Sequence, residues 1–469
     1  MYTKTETAFD NSYATHPFDS DDADSILISS DGMVFFVHKN ILSLVSPVLS
    51  NMFSFDEHTQ LDLSDGCPPI VRLTEDSTTL DTFLRIIYPV ESPELGLDEM
   101  KHLLEVSQKY QSTTATIHLS LLLLHVFVDV DPYTVFTIAC LSDLETVARA
   151  AAQRVARCVS LPPDRSLYSP EMKDISAGSY FRLLWHIARH RAGISIDEDY
   201  WGKFSFIRRN PGDGIPLAED THTACTTNKQ ISEWKDFGVF SCSPPDIILR
   251  SSDGVEFPVH KFILSIMSSF FAESATVTKS SSSDDSPFLE VPEDSHLLHL
   301  LLCSCYSIPL QTESSSLDMS QFIPFVLAAW KYGMEGSIAR VRLLFQDIFK
   351  TNPVRGYFVA ISLGWTDEAR TTASYVATGT ADVERTYVSE MEVVNAEAYF
   401  NLLRYRTSVQ VAIAGSLTRY RSRRNTSPPL EERYYPTDCR RVERTPLAAL
   451  VKKNIKLILE QEMNKKVGR

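Results

Sequence analysis

The chain has 469 residues, 43% of them hydrophobic and 22% charged, and a formal net charge of −15 at pH 7. This composition is that of a globular protein long enough for two to four domains. The acidic balance argues against nucleic acid as the main partner, and the longest apolar run, residues 119–128, is well short of the ~20 residues that a membrane span needs.

Two further features indicate the compartment. The first twenty or so residues are polar and show no basic start followed by an apolar segment, so we expect no secretory signal. The eight cysteines are scattered along a large chain rather than grouped as a disulfide framework, which favours reduced thiols. We therefore expect an intracellular protein of the cytoplasm, the nucleus or both.

The sequence contains a long internal repeat. Fifteen residues between Asp24 and Ser46 recur at a constant offset of 222 positions, between Asp246 and Ser268. Weaker matches continue downstream in both copies, so the repeated unit is about 200 residues long. Duplication is the simplest explanation, and one structural interpretation must therefore serve both copies.

Each copy begins with the pattern of a β-hairpin. Ser25 to Ile28 and Val34 to Val37 are β-prone runs joined through Ser-Asp-Gly, in which the glycine supplies a positive φ. In the second copy Pro258 interrupts the returning strand. Because proline has no N–H to donate, this strand is predicted at a sheet edge or with that position facing away from its neighbour.

Helices and one further strand follow the hairpin. A short helical stretch begins at His38 or His260 and ends near Ser46 or Ser268, and Ser46-Pro47 is the start signal of the next helix. The third strand is predicted at 71–73 and 289–291, and the aspartates at positions 76 and 294 are predicted to cap the helices beyond it. Apolar spacing across 144–155 predicts an amphipathic helix.

These patterns predict an α+β fold, mostly helical, with two modules that each combine a small sheet with helices. The predicted boundaries are a disordered N-terminus at 1–22, a first module at 23–130 with a helical extension at 131–200, a linker at 201–244, a second module at 245–350 with an extension at 351–420, and a basic tail with a C-terminal amphipathic helix at 421–469.

The repeated phrase resembles the BTB (POZ) domain, and more narrowly the two-copy BTB proteins of mushroom-forming basidiomycete fungi. The residues that carry the resemblance are the run from Asp24 to Ser43, then Ser46-Pro47 and Met52-Phe53, with their partners in the second copy. The resemblance covers 23–130 and 245–350 as BTB domains.

The resemblance implies a non-catalytic protein-interaction protein, whose two BTB domains can pack against each other as a pseudo-dimer within one chain. BTB domains pair with one another, and some recruit cullin-type ubiquitin ligase scaffolds. A substrate adaptor of such a ligase is therefore one alternative, and a nuclear, transcription-associated regulator is another. Residues 1–22 lack the amphipathic helix that swaps between subunits in many animal BTB homodimers, so dimerisation of that kind is not supported.

The first copy carries a motif of cullin-binding family members. These members often have a hydrophobic residue, any residue and glutamate at this point, and the run Phe55-Asp56-Glu57 fits that pattern. The second copy has Val277-Thr278-Lys279 there and does not fit. The resemblance thus makes Phe55, Asp56 and Glu57 candidates for protein binding in the first copy alone.

Two charged pairs are further candidates for protein binding: Asp24 with Lys39, and Asp246 with Lys261. In the family, the matching acidic and basic positions lie together in a charged pocket near the dimer surface. A structural ion pair and a direct contact with a partner both remain open, and desolvation makes such a pair a poor source of stability.

The sequence indicates no enzyme, no cofactor and no metal site. It has no Gly-rich phosphate loop, no Gly-x-Ser-x-Gly elbow and no paired carboxylates in a catalytic arrangement. His38 and His260 stand where a strand turns into a helix, and we interpret each ring as hydrogen-bonded to nearby backbone. Cys303 and Cys305 are interpreted as buried core cysteines rather than metal ligands.

The C-terminal part is basic. Residues 401–469 hold sixteen Lys and Arg against six Asp and Glu, so this part carries about +10 and the rest about −25. The run 419–424 fits a nuclear-import signal, a segment docked on the acidic body, or a solvated helix end.

Thr445-Pro446 starts a predicted helix, for which packing on the second repeat, partner binding and membrane-surface binding remain open. Its apolar face consists of Leu447, Leu450, Val451, Ile455, Ile458 and Leu459.

Overall fold

The computed structural model describes residues 12–59, 68–158, 170–194, 203–208, 244–274, 288–308, 319–379 and 381–425. The chain divides into two units, with the boundary between Gly214 and Ile215. Each unit contains one three-stranded sheet, the helices around it and a helical extension. The predicted mostly helical α+β fold with two similar modules is therefore confirmed.

The first unit contains β1 (Ser25–Ile28), β2 (Val34–Val37), α1 (Lys39–Val45), α2 (Pro47–Thr59), β3 (Ile70–Arg72), α3 (Ser77–Ile87), α4 (Leu97–Lys109) and α5 (Thr113–Leu122). Its extension consists of a π-helical turn (Leu123–Phe127), α6 (Pro132–Leu141), α7 (Glu145–Cys158), a short 3-10 helix (Pro170–Asp174) and α8 (Ala177–Arg191).

The second unit repeats this order. It contains β4 (Ile247–Arg250), β5 (Glu256–Val259), α9 (Lys261–Met267), α10 (Ser269–Ser274), β6 (Phe288–Glu290), α11 (Ser295–Cys305), α12 (Met319–Lys331) and α13 (Glu335–Phe349). Its extension consists of α14 (Pro353–Ser362), α15 (Thr366–Thr378), a short 3-10 helix (Ser389–Glu392) and α16 (Ala396–Asn425).

The two sheets have the same topology. β1 lies in the centre, antiparallel to β2 and parallel to β3, and β4 lies between β5 and β6 in the same way. Gly32 and Gly254 in the hairpin turns have φ values of 87° and 82°, the positive φ predicted from Ser-Asp-Gly. In the part of the chain that the structure describes, β5 is an outer strand of its sheet, which agrees with the position predicted from Pro258.

Four helices begin with side-chain caps, three of them predicted from the sequence, and the fourth, Ser268, is the counterpart of Ser46. In each, a side-chain oxygen accepts a hydrogen bond from the backbone N–H three residues later, at 2.8–3.2 Å. A cap of this kind satisfies one of the N–H groups that a helix start leaves without a partner, and it is worth about 1 kcal/mol. The four residues are Ser46, Asp76, Ser268 and Asp294.

A glutamate just after the third strand ties the sheet to the helices. The buried carboxylate of Glu75 pairs with the ammonium of Lys109 and accepts a hydrogen bond from the hydroxyl of Tyr110, both at the end of α4. The carbonyl of Tyr110 accepts from Ser46 Oγ at 2.6 Å, and the carbonyl of Glu75 accepts from the Ser30 N–H at 2.8 Å. The hairpin, the third strand, α2 and α4 are therefore joined by one network around Glu75 and Tyr110.

The second unit has the same network. Glu293 pairs with Lys331 at 2.7 Å and accepts from the hydroxyl of Tyr332, whose carbonyl accepts from Ser268 Oγ. In both units burial raises the pKa of this glutamate, but the hydrogen bonds from the lysine and the tyrosine outweigh burial, so the pKa lies below its ordinary value. The carboxylate is thus held in its charged form.

The N-terminal segment differs from the disordered N-terminus that the sequence predicts. From residue 12 onward it lies along the free side of β2: Val34 donates its N–H to the Ser12 carbonyl at 3.0 Å and accepts from the Ala14 N–H at 2.9 Å. The Phe36 N–H donates to the Phe18 carbonyl at 2.9 Å, and Phe18 is completely buried. Buried Phe18, the ring of Tyr13 stacked on Phe36, and backbone bonds hold a segment whose composition is otherwise that of a disordered tail.

A short part of the predicted linker, residues 203–208, packs into the first extension. Phe204 and Phe206 are completely buried, and the buried guanidinium of Arg182 donates to two backbone carbonyls of this segment, both at 3.0 Å. The carboxylate of Glu145 accepts from the Phe206 N–H at 3.1 Å and from the Ser205 hydroxyl at 2.7 Å. We call residues 203–208 the strap. The domain boundaries themselves stay predictions.

Several predicted features lie outside the described residues, namely the polar loops before β3 and β6, most of the linker and the whole C-terminal helix. The basic run at 419–424 lies in α16. Among the described helices, none combines the length and the apolar character that crossing a membrane requires.

Substitution of Glu293 tests the network. Glu293→Gln is expected to lower the free energy of unfolding by about 1.5–3 kcal/mol, because charged hydrogen bonds are lost and Lys331 keeps a charge without its partner. Because the pKa of Glu293 is lowered in the native state, its contribution is complete above the ordinary value of 4.5 and is lost as the pH falls through the native value. Urea denaturation at neutral pH and well below pH 4.5 measures both effects.

Glu256 provides the matched control. Its carboxylate lies in an exposed ion pair with Arg250 in the same unit, so Glu256→Gln is expected to cost under about 0.5 kcal/mol. A loss for Glu293→Gln that is equally small, or that does not shrink in acid, would contradict the role given to the network.

Candidate protein-interaction surface

The helix after each hairpin positions the predicted charged pairs. α1 and α9 begin at Lys39 and Lys261, directly after a histidine with extended backbone. The Asp24 carboxylate accepts a hydrogen bond from the Lys39 N–H at 2.6 Å, and Asp246 accepts from the Lys261 N–H at 2.7 Å. Within each pair, the aspartate and the lysine therefore lie together at an exposed helix start, where the lysine contributes its backbone N–H. Contact of these residues with a partner stays a prediction.

The two histidines have partners inside their own unit. The N–H of His38 donates to the hydroxyl of Tyr88 at 2.8 Å, and the N–H of His260 donates to that of Tyr306 at 2.8 Å. Nδ1 of His260 lies 2.9 Å from the same hydroxyl. Burial raises the pKa of both tyrosines to about 12, so each hydroxyl keeps its proton. For His260 the structural role is confirmed, and the Tyr306 hydroxyl is a partner of its ring.

The same helices expose large apolar side chains. On α9, Phe262 and Ile266 lie one helical turn apart and are 72% and 65% accessible, and Phe270 on α10 is also exposed. In the first unit, Leu44 on α1 is 87% accessible. Exposed large apolar side chains one helical turn apart make α9 a candidate interaction site. We call Phe262, Ile266 and Phe270 the α9 face.

The α9 face is the part of the site that sequence reasoning missed, although a signal was present. In the run Lys261–Met267, buried Leu264 lies between exposed Phe262 and Ile266, so the helix is apolar on more than one side. A helix that is apolar all round needs cover on every side. The first copy has Asn40 at the position of Phe262, so the two units differ here.

The motif Phe55-Asp56-Glu57 lies in α2. The side chains of these three residues, and the whole of 277–279 in the second copy, lie outside the described residues. Their place on a docking surface therefore stays a prediction.

The cysteines of α11 are buried, as predicted. Burial raises the pKa of Cys303 and Cys305 to about 12, and Cys303 Sγ lies 3.3 Å from Nε2 of His299. Such thiols stay protonated and are poor nucleophiles at neutral pH. Within the described ranges, no group of three or more His, Cys, Asp or Glu side chains is arranged to hold a metal ion.

Comparison with known proteins identifies one family. The family model of the BTB/POZ domain matches residues 16–125 and 240–345. The first match spans β1–β3 and α1–α5, and the second spans β4–β6, α9–α12 and most of α13. The predicted resemblance to the BTB/POZ domain is thereby confirmed for both copies, and the narrower resemblance to basidiomycete proteins stays a prediction. No curated protein matches the chain significantly.

Asp24 allows a test of how the charged pair works. Asp24→Ala is expected to cost about 1 kcal/mol of unfolding free energy, because the first N–H of α1 loses its acceptor. Asp24→Asn keeps an acceptor oxygen and should cost less than about half as much. Urea denaturation of the two variants gives the comparison. Equal losses would instead assign the stabilisation to the charge of the aspartate.

Proposed function

Because the chain carries two BTB/POZ domains in tandem, we propose that it is a non-catalytic scaffold that joins proteins through these domains. BTB/POZ domains are a family of protein-interaction modules rather than catalysts. The observation that carries the proposal for this chain is the α9 face.

The α9 face is well suited to a protein partner. Complete burial of a Phe or Ile side chain stabilises a complex by about 1.5–3 kcal/mol relative to exposure in water. Phe262 and Ile266 lie one helical turn apart, so a single flat partner surface can cover both. The charged pair Asp246 with Lys261 lies at the start of the same helix, where it can fix the orientation of a partner.

We further propose that this partner is another BTB domain, and that pairing takes place within one chain. Two copies of one fold on one chain can satisfy each other's surfaces as the subunits of a symmetric dimer do. The duplication of the whole unit supports pairing of this kind. The difference between Phe262 and Asn40 makes the two sides of such a pair unequal.

Light scattering tests pairing within the chain. The parent protein is expected to have the monomer mass of 52.8 kDa at every concentration. Phe262→Ser with Ile266→Glu should keep this mass but enlarge the hydrodynamic radius, because a charge in the apolar contact separates the two domains. Ile117→Glu, at another exposed apolar residue of the first unit, should leave the radius unchanged.

Two outcomes contradict this proposal. A parent of twice the monomer mass that the double variant reduces to 52.8 kDa would show pairing between chains. An unchanged radius in the double variant would remove the α9 face from the pairing.

A cullin adaptor is the second candidate, and the motif Phe55-Asp56-Glu57 in α2 favours it. Since only the first copy has this motif, one domain would bind the scaffold and the other would remain for a substrate or a partner. The chain would then bring two proteins together through two versions of one fold.

A pull-down with a recombinant cullin N-terminal domain tests the adaptor role. Phe55→Ala with Glu57→Ala should weaken binding at least about tenfold, because an apolar anchor and a charge are removed from one docking surface. The matched change in the second copy, Val277→Ala with Lys279→Ala, should leave binding as it is. Failure of the parent to bind would exclude the adaptor role, and equal effects of the two changes would exclude this surface.

A further inference from the structure

α12 of the second unit carries an apolar stripe on its exposed side. Leu327 and Trp330 are 51% and 44% accessible, Ile323 lies one turn earlier, and Pro324 beside it is exposed. Val393, which directly follows the 3-10 helix of this unit, is 74% accessible. We call the four residues on α12 the α12 stripe, and Val393 is its expected neighbour by analogy with the first unit.

The first unit has polar residues at the same positions. Its α4 is aligned with α12 at the offset of 222, and its 3-10 helix at an offset of 219. Lys101 on α4 pairs with Asp174 at the end of that 3-10 helix at 2.8 Å, so the two elements lie side by side. The counterparts of Ile323, Pro324, Leu327, Trp330 and Val393 are Lys101, His102, Glu105, Gln108 and Asp174.

The core positions of the same two helices did not change in this way. Phe322, Phe325 and Val326 are completely buried on α12, and their counterparts Met100, Leu103 and Leu104 are buried on α4. The core of each unit therefore requires apolar residues on only one side of this helix, α4 or α12. The second unit nevertheless has apolar residues on the exposed side of α12, where α4 of the first unit has polar and charged ones. This difference indicates that another segment or protein covers the exposed side of α12.

We propose that the α12 stripe is the docking site of this chain's own C-terminal segment, residues 445–469. The apolar residues of this segment recur at 447, 450, 451, 455, 458 and 459, the spacing of one helix face. Two helices that each carry an apolar stripe can bury both stripes by packing side by side.

Charge favours this occupant. Residues 246–400 of the second unit contain twenty acidic and ten basic side chains, a net charge of −10, and the six arginines in the rest of α16 bring the net charge of 246–425 to −4. The segment 445–469 contains six basic and two acidic side chains, a net charge of +4, and Lys452, Lys453 and Lys456 flank its apolar face. Opposite charges around an apolar contact attract the segment and fix its register.

The length of the chain permits the contact. α16 has 30 residues and is therefore about 45 Å long, and it begins at Ala396, close in sequence to Val393. The nineteen residues from 426 to 444 can span at most about 60–70 Å when extended. The segment that follows them can thus return from the end of α16 to the stripe near its start.

This docking is independent of the proposed pairing through the α9 face. It concerns another helix and another region of the chain, and it gives the two copies different surfaces. The second unit would present a basic helix where the first presents the exposed side of α4.

Photo-cross-linking in the full-length chain tests the proposal. With benzoylphenylalanine in place of Leu327, we expect cross-links to residues 445–469 of the same chain, in a product of monomer size and independent of protein concentration. The same replacement at Glu105, the matched position of the first unit, should give no cross-link to that segment.

Changes in the segment complete the test. Ile455→Glu with Leu459→Glu should lower the cross-link yield at least about tenfold, because two charges would enter an apolar contact. Lys453→Gln should retain most of the yield. The α9-face variant Phe262→Ser with Ile266→Glu should retain all of it, which separates this proposal from the proposed function.

Three results would overturn the docking. They are the absence of cross-links to 445–469, a yield that Ile455→Glu with Leu459→Glu leaves unchanged, and cross-linked products that join two chains. The last would assign the α12 stripe to a second copy of the protein.

Discussion

Each copy of the fold depends on one buried carboxylate, Glu75 in the first unit and Glu293 in the second. A buried charge without partners is costly, so the residue is tolerated only where its lysine and its tyrosine meet it. This requirement fixes the end of the fourth helix against the third strand. The repeat offset is 222 at the hairpin, 218 at the glutamate and 222 again at the lysine, so the connections between these points differ in length. The network forms in both units regardless.

Around this common frame the two units have diverged. The strap needs Arg182 and Glu145, and their counterparts in the second unit are Asn401 and Thr366. Conversely, the exposed apolar residues Phe262 and Leu327 have polar counterparts, Asn40 and Glu105. The BTB/POZ frame is thus kept twice with unlike exposed surfaces.

The structural features that were predicted best from the sequence are those that a few neighbouring residues determine. The turn glycine, the caps Ser46, Asp76 and Asp294, and the edge strand with its proline act through local backbone geometry, and all were predicted correctly. Contacts between distant segments were missed. Phe18 and Phe206 each stand in a polar stretch, and only the fold shows that both are completely buried. The α9 face was missed because spacing shows that a helix is apolar but not which side the core covers.

Pro258 also has a consequence for how molecules of this protein meet. It stands at the position of Phe36, whose N–H holds the N-terminal segment against β2 in the first unit. A strand border with free donors and acceptors invites strand exchange and growth into fibrils. In the first unit the chain fills that border with its own residues, whereas in the second a pyrrolidine ring removes a donor from it. Both features disfavour edge-to-edge pairing of these strand borders between molecules.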